Sequence, residues 1–184
     1  MALVAAFLDR DGTIIEDAHY ASRPDQVKLI SGAAEGLKML TRKGYLLFVV
    51  SNQSGVGRGL IQESEFLAVH ARFCEVLQEQ GIEIAEFAYC LHHPDDPCLC
   101  RKPKTGLVPR KYKGAVIDFT RSVVIGDRGS DVELGVQLGA KPILVRTGKG
   151  ASTESRWPSP PPSIAVFDGL LQAASRLPDV ASNA

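Results

Sequence analysis

Apolar runs along this chain alternate with stretches whose apolar positions recur at helical spacing. The runs fall at residues 4–8, 45–50, 86–90, 123–125 and 142–145, and helix-like stretches occupy 33–42, 63–80 and 131–138. Each run is nearly continuous rather than alternating, which is the pattern of a strand buried on both faces. Strands and helices in this order predict an α/β fold, a parallel sheet with helices on both faces. The core spans about 4–150. A shift toward Gly, Ser and Pro begins at Thr147 and defines a loop or linker over 151–163, with Pro160, Pro161 and Pro162 consecutive. Residues 164–178 add a short edge strand at 164–167 and a last helix at 170–177. No internal repeat is visible.

Composition narrows the picture. A chain of 184 residues, 45% hydrophobic, suits one domain with one sizeable core. Twenty-one basic residues balance twenty-one acidic ones, so no global field draws the protein toward nucleic acid or an anionic membrane, and any anion must be held locally. The apolar run at 2–8 is too short for a secretion signal and has no basic flank, and no window approaches a membrane span. A soluble, cytoplasmic monomer is expected. Three of the four cysteines, Cys90, Cys98 and Cys100, crowd beside His92 and His93, a pattern of metal chelation rather than of disulfides. Cys74 reads as a small buried hydrophobe, His70 as helix surface and Trp157 as linker.

In open α/β sheets the ligand site forms from loops at the carboxyl ends of strands, and these loops are unusually polar. Asp9-Arg10-Asp11-Gly12-Thr13 follows the first strand, Ser51-Asn52-Gln53-Ser54-Gly55 the second and Gly126-Asp127-Arg128 a later one, with Arg101-Lys102-Pro103-Lys104 between them. Asp9 can attack phosphorus to form an acyl phosphate, and Asp11 can serve as acid and base. The negative charge around phosphorus calls for a hard divalent cation with oxygen ligands. Mg²⁺ on the Asp9 and Asp127 side chains and the Asp11 carbonyl meets that need. Ser51 and Lys102 supply donors to the phosphoryl oxygens, and Gly12 lets backbone approach a ligand. Each motif alone has a plainer account. Asp9-Arg10-Asp11 can be a turn, Ser51 to Gly55 a helix cap, Gly126-Asp127 a strand exit, and Arg101-Lys102 a solvated face. All four in order make the catalytic account the stronger.

The Cys90, His92, Cys98 and Cys100 set offers three thiolates and an imidazole, suited to tetrahedral Zn²⁺ with no open position and therefore structural. Such a site pins the loop and fixes Arg101 and Lys102 after it. His93 is left facing solvent or behind the ligands. Arg101 can hold a second phosphate or a hydroxyl pair in a forked geometry, while Arg58 and Lys149 read as solvated rim charge.

Asp9-Arg10-Asp11-Gly12-Thr13, Ser51-Asn52, Lys102 and Gly126-Asp127 resemble the four motifs of the haloacid dehalogenase (HAD) superfamily of phosphatases over residues 5–150. The resemblance implies a Rossmann-like domain, an aspartyl-phosphate on Asp9, Asp11 as general acid/base and Mg²⁺ as cofactor. Neither interval that carries a large cap domain in many members has room for one here. The cysteine loop resembles the zinc-bearing branch that contains the D-glycero-D-manno-heptose 1,7-bisphosphate and histidinol-phosphate phosphatases. Asn52 to Gly59, His92-His93-Pro94 and Val145 to Lys149 are more similar to the heptose enzymes. The five residues between His92 and Cys98, and Lys104-Thr105, depart from them. The resemblance thus implies a small phosphorylated metabolite as substrate, a heptose bisphosphate ahead of histidinol phosphate. By position, Asp17, His19, Tyr20, Asn52, Gln53, Ser54 and Arg128 are implied substrate contacts. Rival classes are weaker. A binding module would not need both Asp9 and Asp11, a response-regulator-like domain would need neither Asp11 nor a zinc loop, and a zinc-finger module would carry a basic surplus.

Overall fold

The computed structural model of the protein describes residues 2–157 and 164–180. Strand β1 (Ala5–Leu8) leads to α1 (Ala33–Arg42), β2 (Leu46–Asn52), the single turn α2 (Ser54–Gly57), α3 (Glu63–Glu79) and β3 (Glu86–Cys90). A small hairpin of β4 (Lys111–Tyr112) and β5 (Ala115–Val116) follows. The chain then forms β6 (Val123–Gly126), α4 (Gly129–Leu138), β7 (Lys141–Val145), α5 (Gly150–Ser155), β8 (Ala165–Phe167) and α6 (Leu170–Arg176).

Six strands make one parallel sheet in the order β3-β2-β1-β6-β7-β8. The chain winds outward from β1 in one direction and returns to β6 to wind in the other. The crevice between β1 and β6 is therefore the topological switch point, where ligands of such sheets bind.

Successive residues of each central strand feed opposite cores, as a period of two requires. Ala6, Leu8, Leu47, Val49 and Ile125 face a core closed by α1, α3 and α6 through Leu37, Phe73 and Ala173. Phe7, Phe48, Val50 and Val124 face a second core. This face is less helical than the sequence predicts. Leu134 of α4 covers part of it, and Val108, Tyr112, Ile117 and Phe119, from the segment around the β4–β5 hairpin, cover the rest. Phe7 and Phe48 pack at 5.2 Å between ring centroids, with Tyr112 edge-on to Phe48 at 5.4 Å. The hairpin turns on Lys113 and Gly114, both at positive φ, the conformation that a two-residue turn between twisted strands demands.

The expected loop after Thr147 is corrected in part: residues 150–155 form α5. Its serines and threonines, which read as loop formers, find backbone acceptors instead, one at the helix's own first turn and one just past the end of β6. Ser152 donates to the Lys149 carbonyl at 2.8 Å, and Thr153 donates to the Asp127 carbonyl at 2.9 Å. The proline run at 158–162 lies outside the described residues. The predicted edge strand and final helix are present as β8 and α6. No helix among the described residues is long and apolar enough to cross a membrane.

Candidate active site

Asp9 leaves β1 and Asp127 leaves β6, side by side at the switch point. Asp131, on the first turn of α4, completes a cluster whose carboxylate oxygens lie within 4.8 Å of one another, all three residues buried. Lys102 reaches the cluster from the loop after β3. Its Nζ lies 2.8 Å from Asp9 Oδ1 and 2.6 Å from Asp131 Oδ1, and donates to the Val50 carbonyl at 2.6 Å. Burial works against charge on Lys102, but Asp131 and Asp9 outweigh it and hold the ammonium firmly protonated. Lys102 therefore pairs with two of the three carboxylates while its ammonium is anchored on the Val50 carbonyl.

One ammonium does not neutralise three carboxylates. Burial, reinforced by the charge of Asp9, pushes Asp127 up to about 7. Burial also raises Asp131, to about 6, against the opposing pull of Lys102. Asp127 Oδ2 accepts the Lys149 N–H at 2.7 Å, whereas its buried Oδ1 has no hydrogen-bond partner. A buried oxygen with no donor, in a group carrying excess negative charge, fits a divalent cation with oxygen ligands. Asp131 was not singled out from the sequence, although its spacing of four from Asp127 sets it one helical turn away.

Asp11 lies just beyond Asp9, with its carboxylate in the fork of Arg10 and bonded to Gln53. Gln53, expected to touch substrate, spends its amide instead on Asp11, Arg10 and Ser51. Asn52 is similarly redirected. Its side chain accepts from the Lys102 N–H at 2.9 Å and donates to the Lys102 carbonyl at 3.1 Å, a two-point clasp across 50 residues of sequence. Gly12, expected to let backbone approach a ligand, makes room for Asp127. Its φ is +81°, and a Cβ there would stand 2.3 Å from Asp127 Oδ2.

Around these groups opens a cleft of about 570 Å³. Its lining contains Asp9, Asp11, Asp17, His19, Tyr20, Ser51, Asn52, Gln53, Ser54, Arg101, Lys102 and Arg128, so the structure brings together the sequence-predicted catalytic and substrate residues. Arg58 and Lys149, read as solvated rim charge, also line it. Arg128 bridges to Asp17 at 3.1 Å, joining the loop after β1 to the one after β6. Burial alone would raise Asp17, but the His19 N–H and ring and the Arg128 charge hold it below the ordinary carboxylate value. The Asp17 carboxylate accepts the His19 N–H at 3.1 Å, and His19 and Tyr20 both adopt positive φ.

The four residues of the cysteine loop expected to hold a metal also converge. Cys90 ends β3 beside Asn52 of β2, and ligand atoms of Cys90, His92, Cys98 and Cys100 lie within 4.8 Å of one another. Cys90 Sγ is 3.9 Å from Cys98 Sγ and 3.3 Å from Cys100 Sγ, and His92 Nδ1 is 3.5 and 3.2 Å from Cys90 and Cys100. Four ligands about 2.0–2.3 Å from one tetrahedral ion have separations of this order. The Arg101 and Cys100 N–H groups help bring Cys98 down to about 7, while burial, with Cys100 adding, pushes Cys90 up to about 12. His93 turns away toward Asp95, 3.4 Å from it. The loop packs tightly on α2: a Cβ on Gly57 would stand 2.3 Å from the His93 backbone nitrogen.

Two expectations fail at α3. His70 is half-buried rather than free on the helix surface. It stacks on Phe66, lies edge-on to Phe87 and pairs with the Tyr89 hydroxyl at 3.0 Å. Burial, then the charge of Arg10, lowers its pKa. Cys74 is only partly buried, one helical turn from His70.

A HAD-hydrolase-like family model matches residues 99–173. The D-glycero-β-D-manno-heptose-1,7-bisphosphate 7-phosphatase of Haemophilus influenzae is 38% identical over 157 residues, spanning 82% of this chain and 85% of the relative. The enzyme of that name from Pseudomonas putida is 35% identical over 171 residues, spanning 92% and 97%. Among solved structures, the D,D-heptose 1,7-bisphosphate phosphatase of B. bronchiseptica, complexed with magnesium and phosphate, superimposes with a TM-score of 0.85 at 30% identity, covering 96% of this chain and 98% of that one. Sheet order, the Asp9 cluster and these similarities agree: the chain belongs to the heptose bisphosphate phosphatase family of HAD-like hydrolases, enzymes that cleave phosphoric monoesters.

Proposed function

We propose that this protein removes the 7-phosphate of D-glycero-D-manno-heptose 1,7-bisphosphate, leaving the 1-phosphate, through a covalent phosphoryl group on Asp9. The observation that carries the reading is the buried Asp9 carboxylate at the switch point, held by Lys102 and flanked by the unpartnered Asp127 oxygen. Asp9 attacks phosphorus as the bond to the leaving oxygen breaks, and Asp11 gives that oxygen its proton. Asp11 then takes a proton from water, the water oxygen attacks the phosphoryl group, and Asp9 is released with inorganic phosphate. Mg²⁺ held by Asp9, Asp127 and the Asp11 carbonyl, with Asp131 beside them, would offset the charge that gathers on the phosphoryl oxygens. Ser51 offers a hydroxyl to the same oxygens, and Lys102 its charge.

Selectivity falls to the cleft wall. Arg101, Arg128, Arg58 and Lys149 suit the phosphate that is not cleaved, and Asp17, His19, Tyr20 and Ser54 line the space for sugar hydroxyls. Zn²⁺ on Cys90, His92, Cys98 and Cys100 would be structural, its shell filled by protein. The relatives' names support the heptose substrate and point to the β anomer.

The test is phosphate release with Mg²⁺ from both anomers of the heptose bisphosphate and from histidinol phosphate. Preference for the heptose ester supports the proposal. Preference for histidinol phosphate overturns the substrate and leaves the chemistry, and release from no phosphate ester overturns both.

A further inference from the structure

Arg10 is the largest fully buried side chain among the described residues, 1% exposed, and the chemistry above gives it no task. Burying a guanidinium is costly unless it is paired, and the pairing here is specific. Its Nε and Nη2 reach Asp11 Oδ2 at 3.1 and 2.9 Å, Nη2 also reaches Asp11 Oδ1 at 3.1 Å, and the same Nη2 donates to Gln53 Oε1 at 2.8 Å. Gln53 closes the ring by donating to Asp11 Oδ2 at 2.6 Å. Arg10 is itself seated from behind. Its guanidinium lies 5.9 Å from the Tyr89 ring centroid, and the Tyr89 hydroxyl is tied to His70. The remaining Arg10 nitrogen, Nη1, is buried on the side away from Asp11.

We propose that Arg10, assisted by Gln53, is a positioning residue that fixes the Asp11 carboxyl for proton transfer, with Oδ1 as the oxygen that exchanges the proton. The proposal rests on Asp11 being the acid/base. Three contacts engage Oδ2 and one, at 3.1 Å, engages Oδ1, so Oδ1 is the freer oxygen. A guanidinium has five donors and no acceptor, and it does not give up its proton in proteins. Arg10 can therefore orient Asp11 without competing for the proton that Asp11 moves. The planar fork fixes the carboxylate plane in a way that the point charge of a lysine cannot. In the first step the Asp11 proton passes to the leaving oxygen as its bond to phosphorus breaks and the Asp9–phosphorus bond forms.

Leaving-group dependence separates positioning from mere structural support. An alkoxide leaving group needs the proton, whereas p-nitrophenolate leaves without one. The comparison is kcat/KM, which reports through phosphoryl transfer to Asp9, for p-nitrophenyl phosphate and for the heptose bisphosphate or another primary alkyl phosphate that the Mg²⁺-loaded enzyme hydrolyses. Arg10→Lys should lower the alkyl value about 100-fold, the lower end of what general acid catalysis supplies, and the aryl value less than about fivefold. Arg10→Met should lose more on the alkyl ester than Arg10→Lys. Gln53→Leu, which leaves the buried charge in place, should show the same selectivity in smaller degree and serves if the Arg10 variants do not fold. Asp11→Asn should reproduce the selective loss, and adding Arg10→Lys to it should cost little more. Equal losses on both esters in the Arg10 and Gln53 variants, with a selective loss in Asp11→Asn, would overturn the positioning role alone. Equal losses in Asp11→Asn would overturn the acid/base reading beneath it.

Discussion

Without a divalent cation, the protein should lose stability as pH rises from about 4 to about 7. The perturbation is the ionisation of Asp127 and Asp131 in a buried site already occupied by Asp9. A carboxyl whose pKa is higher in the folded state binds protons better folded than unfolded. Its contribution is therefore complete below the unfolded value of 3.8 and is lost as pH climbs through the folded one. A rise to about 7 for Asp127 corresponds to about 4 kcal/mol. Asp131, raised to about 6, would add about 3 kcal/mol if it were independent. The two share one field, so protonating either relieves the other, and the expected loss is nearer the larger figure than the sum. Asp17 and Asp118 are held below the ordinary value, so their stabilising contribution is complete above about pH 4 and is lost only as pH falls below it. His70, lowered from 6.5, adds some stability as pH rises toward that value and offsets a smaller part of the slope. The assay is urea unfolding at intervals from about pH 5 to 8, with zinc retained and magnesium omitted. Saturating Mg²⁺ should abolish the downward slope, and Asp127→Asn should reduce it in the metal-free protein. Metal-free stability that stays flat or rises across this range would refute the reasoning.

Four further outcomes are expected. Asp9→Asn should abolish turnover while leaving a single cooperative unfolding transition and the zinc content intact, measured by phosphate release, urea titration and elemental analysis. Asp131→Asn removes a partner of Lys102 and a carboxylate from the cluster, and should lower activity or Mg²⁺ affinity by about 10- to 100-fold, read from a magnesium titration of kcat/KM. Elemental analysis of the freshly purified, reduced protein should find about one zinc per chain, and Cys100→Ser should lose most of it together with activity. Phe7→Ala, in the second core, should cost about 3–5 kcal/mol, seen as a lower urea midpoint at unchanged m-value.

What the sequence made legible follows from where physics is local. An apolar run that stops abruptly at a polar residue marks a strand end, so Asp9, Ser51 and Asp127 could be placed at one edge of a sheet without coordinates. The cysteine loop was legible because thiols and an imidazole within eleven positions have little else to do together. Side-chain direction within a turn was not legible. Asn52 and Gln53 were expected to face substrate, yet their amides are spent on Lys102 and on Asp11. Asp131 was hidden because a carboxylate three residues into a helix is also an ordinary cap, and it does serve as one, accepting the Arg128 N–H at 3.0 Å. His70 looked exposed because its aromatic partners Phe87 and Tyr89 come from β3, beyond any helical periodicity.

The contact of Gly57 with the cysteine-loop backbone has a consequence for how this enzyme can change its substrate. On one side of the contact, α2 continues the loop bearing Ser51 to Ser54; on the other, the cysteine loop runs on to Arg101 and Lys102. With no room for even a methyl group between them, a change in one wall of the cleft must be accommodated by the other. A longer or shorter cysteine loop would therefore shift Ser51 along with Arg101. Relatives that part company in loop length should need paired changes around Gly57 to keep the same chemistry, and grafting one loop without the other should fail.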